Sequence, residues 1–134
     1  MDIANWFRYH EDVANWAMWA IFILCYDQLQ NKIQFVRLAG ITTILGLLEY
    51  NQSSLEVNRH CIAILYDLLR EGNNAEGKQY DPWTVRRQAL AAGLHNRVVK
   101  AMSEFSDSMD IMMMGQEMLI GTGYCGDIPQ FQPM

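Results

Sequence analysis

Little in this chain interrupts helices, pairs covalently or attracts phosphate. Only three prolines occur in 134 residues, and the nine glycines lie mostly outside the apolar stretches. Long segments are therefore left uninterrupted and suited to helices. The three cysteines, Cys25, Cys61 and Cys125, are odd in number and include no close pair, which is unlike the even, closely spaced set of a disulfide framework. Cys25 and Cys61 sit inside apolar helical patterns, where a free thiol behaves as a small buried hydrophobe. A reducing compartment, cytoplasmic or another intracellular one, is expected. Basic residues are scarce: ten Lys and Arg against fifteen Asp and Glu give a net charge of −5, with no basic cluster. Such a chain repels phosphate backbones, so no nucleic-acid partner is expected. The start Met1-Asp2-Ile3-Ala4-Asn5 lacks the basic-then-apolar pattern of a signal peptide. The longest apolar run, Trp16 to Tyr26, is closed by Asp27 and preceded by Glu11, Asp12 and Asn15. It is shorter than the roughly 20 residues that span a bilayer, so it reads as a buried core helix and no membrane span is expected.

What is present is apolar. Hydrophobic residues make up 51% of the chain and charged ones 19%, more apolar surface than one small globule needs, which favours a protein partner. From about Glu11 to Leu29, Val13, Trp16, Ala17, Ala20, Ile21 and Leu24 recur at spacings of three and four, the signature of one helical face. Ile3, Trp6 and Phe7 point to a short leading helix. A second pattern, Lys32 to Ala39, ends at Gly40, which we read as the left-handed corner because glycine lacks the Cβ that makes that conformation costly. A third pattern follows with Ile41, Ile44, Leu45, Leu47 and Leu48. Asn51 to Ser54 breaks it, with Ser53 or Ser54 as cap for a helix from about Ser54 to Arg70. Glu71 to Asp81 is polar and reads as a loop. Asp81-Pro82 opens a helix to Ala92, closed at Gly93. Leu94 to Glu104 gives another, Ser106-Asp107-Ser108 opens a last helix to about Ile120, and the tail from Gly121 breaks helicity repeatedly.

These patterns repeat. Laying Val13 on Val57, an offset of 44, puts Ala17 on Cys61 and Ile21 on Leu65. Laying Gly40 on Gly93, an offset of 53, aligns Leu38-Ala39-Gly40-Ile41 with Ala91-Ala92-Gly93-Leu94. An offset of 54 sets Ile111 on Val57, Gly115 on Cys61 and Leu119 on Leu65. Offsets near 44 match the armadillo and HEAT period, and the extra residues of the longer offset fall in the polar loop, where insertions cost little. The division is a partial first repeat over 1–31, a second over 32–71, a polar loop over 72–81, a third over 82–120 and a tail over 121–134.

The stretch Phe35-Val36-Arg37-Leu38-Ala39-Gly40-Ile41, then Ile44-Leu45-Gly46-Leu47-Leu48, then Val57 to Leu69, resembles one armadillo unit. The resemblance covers Lys32 to Arg70, extends to Val85 to Ile120, and includes Glu11 to Leu29 as a third helix only. It implies an all-α fold, a short right-handed ARM/HEAT-like helical solenoid of about two and a half to three units. It also implies a concave groove, lined by the third helices, that binds extended peptides or protein partners. The groove asparagine of peptide-binding members falls on Ile23, Asp67 and Gly121, and the tryptophan one turn earlier on Trp19, Ala63 and Glu117. The asparagine ladder is thus missing and only Trp19 matches, which argues against nuclear-signal binding of the importin kind.

The candidate contact residues follow. Trp19, Ile23 and Tyr26 lie on the first long helix away from the Ala17, Ile21 and Leu24 stripe. They form either a partner anchor or a seat for the segment Ile3 to Tyr9. Arg59, Asp67 and Arg70 lie on the corresponding side of the next long helix, with Glu117 on the last, and a solvated face is the bland alternative. Met112 and Met113 belong to a methionine-rich helix too apolar all round to stand alone, and methionine adapts to irregular partners. His10, His60 and His95 are isolated and match no zinc spacing. No phosphate loop and no nucleophile with a nearby base is seen, so neither metal, cofactor nor catalysis is expected. The leading expectation is a protein-interaction module, as a subunit of a larger assembly or a homo-oligomer. The alternatives are a free adaptor with a peptide groove and, more remotely, an enzyme whose site assembles from distant residues.

Overall fold

The computed structural model describes residues 15–21, 32, 35–36, 39–69 and 82–133, with 82 and 83 described by their backbone. The regular secondary structure among the described residues is helical, with no strand. We label the helices α1 (15–21), α2 (Gly40–Tyr50), α3 (Leu55–Leu69), α4 (Pro82–Ala91), α5 (Leu94–Glu104) and α6 (Met109–Gly121). Residues 32, 35 and 36 are also helical. The leading segment, the polar loop and the Asp81 cap lie outside the described residues.

Local chemistry sets the boundaries. Asn51 ends α2: its backbone N–H and its side-chain amide both donate to the Leu47 carbonyl, at 3.1 and 3.0 Å. Ser54 then opens α3 by accepting from the Val57 amide at 3.3 Å, which satisfies one of the orphan donors of the first turn. The buried Asn58 side chain ties the corner together by donating to the carbonyls of Asn51 and Ser54 at 2.9 and 2.7 Å. Ser108 caps α6 in the same way, accepting from the Ile111 amide. At its far end α6 stops in a Schellman arrangement. Gly123 takes φ +77°, its N–H donates to Ile120, and the Tyr124 N–H donates to Leu119. The tail then folds back until the Gln132 N–H reaches the Ser106 carbonyl at 2.8 Å.

The turn bonds recur at a single spacing of 54 residues. Ala39 N–H to Val36 O matches Gly93 to Leu90, Asn51 to Leu47 matches Phe105 to Ala101, and Ser54 to Asn51 matches Ser108 to Phe105. Burial follows the same spacing: Ile44, Leu47, Leu48, Val57, Cys61, Ile64 and Leu65 answer to Val98, Ala101, Met102, Ile111, Gly115, Met118 and Leu119. The offset of 53 at the glycine corner is therefore corrected by one residue. The left-handed position is Ala39, φ 61°, and not Gly40, so Ala39 answers to Gly93. Gly40 is needed for another reason: a Cβ there would overlap the Phe35 ring and its backbone oxygen. The close approach claims the glycine, and alanine is left to carry the strained turn.

One continuous core runs between the helices, with α3 packed most extensively on α6 and α2. Leu65 and Leu68 of α3, Leu94 and Val98 of α5, and Ile111 and Leu119 of α6 have no exposed surface. Each such side chain contributes about 1.5–3 kcal/mol of hydrophobic stabilisation. Gly115 lets α6 close on α5, since a Cβ there would lie 2.7 Å from the Met102 sulfur. In α1 the expected apolar face is corrected: Met18 is buried, while Trp16 and Ala20 are exposed. Met18 is drawn inward by its contact with Cys61, sulfur to sulfur at 3.4 Å. No described helix is long and apolar enough to cross a membrane.

Candidate functional site

Helices α1, α3 and α6 lie side by side and are stitched by polar contacts along their exposed rims. The Asn15 amide donates to Glu56 at 3.0 Å, Arg59 donates to Asp110 at 2.9 Å, and the Tyr66 hydroxyl donates to Glu117. Residues 59 and 66 each reach a partner 51 positions later, and residue 15 one 41 positions later, so both junctions use the same edges once the longer polar loop is counted. Each long helix has an inner edge, facing the preceding helix, and an outer edge, facing the next one. The outer edge of α3 includes Arg59, Ile62 and Tyr66, of which Ile62 is fully buried. Their counterparts on α6, 54 residues on, are Met113, Gln116 and Ile120. Met109 joins them, because spacings of four, three and four keep 109, 113, 116 and 120 on one stripe. That stripe is open: Met109 is 65% exposed, Met113 56% and Ile120 62%.

The sequence candidates are thus dispersed. Trp19 is 48% exposed, with its ring 5.9 Å from that of His60. Arg59 and Glu117 lie on the rim in the contacts just given. Ile23, Tyr26 and Arg70 lie outside the described residues. Met113 is exposed but Met112 is buried at 4%; its helical position matches that of Asn58, which also points inward. Asp67 is a second departure from the solvated-face expectation. It is buried and paired with Lys32, Nζ to Oδ2 3.1 Å.

That ion pair has a counterpart that sequence reading missed. Arg86 stands 54 residues after Lys32, and it too is buried. Gly121 stands where Asp67 does in α3, so that position offers no carboxylate, and among the described residues the guanidinium donates to two carbonyls: Leu69 O at 3.0 Å from Nε and Gly121 O at 3.2 Å from Nη1. These carbonyls end α3 and α6, where unpaired oxygens and the helix dipole favour a cation. One arginine therefore ties two helix ends together, using a fork of donors that lysine lacks. The paired basic residues at 32 and 86 were the available signal, hidden because the intervening partners differ.

A hollow of about 370 Å³ lies where α1 meets α3, lined by Asn15, Trp16, Trp19, Glu56 and His60. The Asn15 amide nitrogen is committed to Glu56, so its oxygen faces His60 Nδ1 at 3.2 Å, and that nitrogen carries the proton. Burial lowers the His60 pKa, opposed by the Glu56 charge and aided by Arg59, which favours a neutral ring. Trp16 was missed as a site residue because its spacing fits the core stripe. His95, on the far side, is also lowered by burial. It donates from Nε2 to the Thr122 hydroxyl at 2.8 Å, whose own proton goes to the Met118 carbonyl at 2.6 Å, and it packs edge-on to Tyr124. Cys61 is fully buried and its thiol is pushed far up by desolvation, so it is an inert core residue. Among the described residues, no group of three His, Cys, Asp or Glu side chains is placed to hold a metal ion.

No family model matches the chain, and neither does any curated protein or solved structure.

Proposed function

We propose that this chain is an armadillo-like helical module that works by protein contact, as a subunit of a larger assembly. The observation that carries the reading is the open outer edge of α6. On α3 the same edge holds the next helix through Arg59 and Tyr66, whereas Met109, Met113 and Ile120 offer exposed apolar surface over which no described helix is laid. Methionine-rich, adaptable surface of this kind suits a protein partner. The 54-residue recurrence supports a stacked-unit architecture, in which each unit buries its apolar face against a neighbour. The contact residues of this module are Met109, Met113 and Ile120 on the outer edge, with Trp19, Arg59 and Glu117 along the rim.

The test is quantitative co-purification from the native source of the wild-type chain and of the double variant Met113→Glu, Ile120→Glu. A companion at fixed ratio, lost in the variant, supports the reading. A wild-type chain that elutes alone at its own mass of 15.5 kDa contradicts it. The free-adaptor reading keeps one supporting observation, the exposed Trp19 at the position where the armadillo resemblance places a groove tryptophan.

A further inference from the structure

The hollow at the α1–α3 junction combines features that a simple core boundary does not need. Two indoles, Trp16 and Trp19, stand one turn apart on α1, and Trp16 is 73% exposed. A third ring, His60, is tilted by 49° to that of Trp19. Glu56 sits one turn before His60 on α3, close enough to accept from Asn15. Aromatic faces carry negative quadrupole potential and draw cations, tryptophan most strongly. A carboxylate at the same hollow adds a full negative charge. An anion would meet repulsion from both, and a neutral group would gain less than a cation from either.

We infer that this hollow holds an organic cation: the ammonium or guanidinium head of a basic side chain presented by a protein partner, seated between Trp16 and Trp19 with Glu56 as counter-ion. The inference rests on the protein-contact reading and specifies the chemistry its partner offers. Asn15 is a positioning residue, holding Glu56 with its amide nitrogen and His60 with its oxygen. Held neutral, His60 supplies a ring and not a competing positive charge. The chain's net charge of −5 favours approach of a basic partner. Arg59, the nearest described cation on α3, is turned away into its pair with Asp110.

The experiment follows the four tryptophan indole N–H signals of the full-length chain by NMR, assigned with Trp16→Phe and Trp19→Phe. The probes are choline, its uncharged carbon isostere 3,3-dimethylbutan-1-ol, and the N-acetyl amides of lysine, trimethyllysine and arginine. The expected result is saturable shifts of Trp16 and Trp19 with choline and with at least one amino-acid amide. The cations should bind about two- to fivefold more tightly than the isostere. Glu56→Gln should weaken the cations while leaving the isostere unchanged, with the backbone spectrum otherwise preserved because Glu56 is exposed. Equal binding of the isostere, an unaffected cation affinity in Glu56→Gln, or shifts confined to other tryptophans would overturn the inference. Binding of choline without any of the amino-acid amides would overturn the assignment to a partner side chain. Co-purification through the α6 edge reads a different face, so either result leaves the other interpretable.

Discussion

The two stretches 32–69 and 86–123 repeat one backbone plan with different chemistry at three places. At the corner, the first uses Ala39 in the left-handed conformation and the second uses Gly93. At the buried cation, the first pairs Lys32 with Asp67, while the second directs Arg86 at two helix-end carbonyls. At the outer edge, the first is covered by α6, and the second presents Met109, Met113 and Ile120 to solvent. Backbone geometry is thus fixed by the recurring caps and core positions, and each side-chain solution is set by its own neighbours. A glycine under Phe35 leaves alanine to make the turn; with glycine at 121 in place of aspartate, the buried cation reaches across to two helix-end carbonyls.

The largest effect should come from breaking the buried cation sites unequally. Asp67→Ala removes the carboxylate beside a buried ammonium and should cost about 3–5 kcal/mol. Arg86→Met leaves the Leu69 and Gly121 carbonyls short of a donor and should cost about 1.5–3 kcal/mol. Urea unfolding of the two variants reads the difference, and equal losses would deny that Asp67 contributes more at its site than Arg86 does at its own. Next come the matched core leucines. Leu65→Ala and Leu119→Ala should each cost about 2–5 kcal/mol. A loss below about 0.5 kcal/mol at either position, the size of an ordinary surface substitution, would refute the 54-residue register.

The corner should respond with opposite signs. Ala39→Gly relieves a left-handed alanine and should stabilise by about 1 kcal/mol, whereas Gly93→Ala should destabilise by a similar amount. Space is not limiting at Gly93, where a Cβ would meet nothing within 4 Å, so the sign reports left-handed strain outweighing the unfolded-chain entropy that glycine adds. The smallest effect is on pH. His60 and His95 both have pKa values below 6.5 in the folded chain, so the unfolded chain binds more protons as pH falls past that value. Their contribution is complete above about pH 7 and is lost as pH drops through the folded values. The urea midpoint should fall between pH 7.5 and 5.5 by more in the wild type than in the double variant His60→Gln, His95→Gln.

Much of this comparison was legible in the sequence. The helix over Leu94 to Glu104, the serine caps and the Val57-to-Ile111 register follow from apolar spacing and cap chemistry, which are local. The misread positions depend on contacts between distant residues. Gly40 looks like a helix-ending glycine until Phe35 is seen against it. Trp16 fits the apolar stripe of α1 by spacing, but Met18 takes the core position because Cys61 lies beneath it. Asp67 reads as a solvated charge until Lys32, 35 residues earlier, meets it inside the core. The open edge of α6 is invisible in one dimension, since exposure depends on what packs against the helix in space.

The most direct measurement of that openness is methionine oxidation by hydrogen peroxide, resolved by mass spectrometry, in the isolated chain and in its native assembly. Thioether oxidation tracks solvent access. The account predicts that Met109 and Met113 oxidise well ahead of Met102, Met112 and Met118 in the isolated chain and become protected in the assembly. Equal rates for Met112 and Met113 in the isolated chain, or undiminished oxidation of Met113 in the assembly, would contradict it.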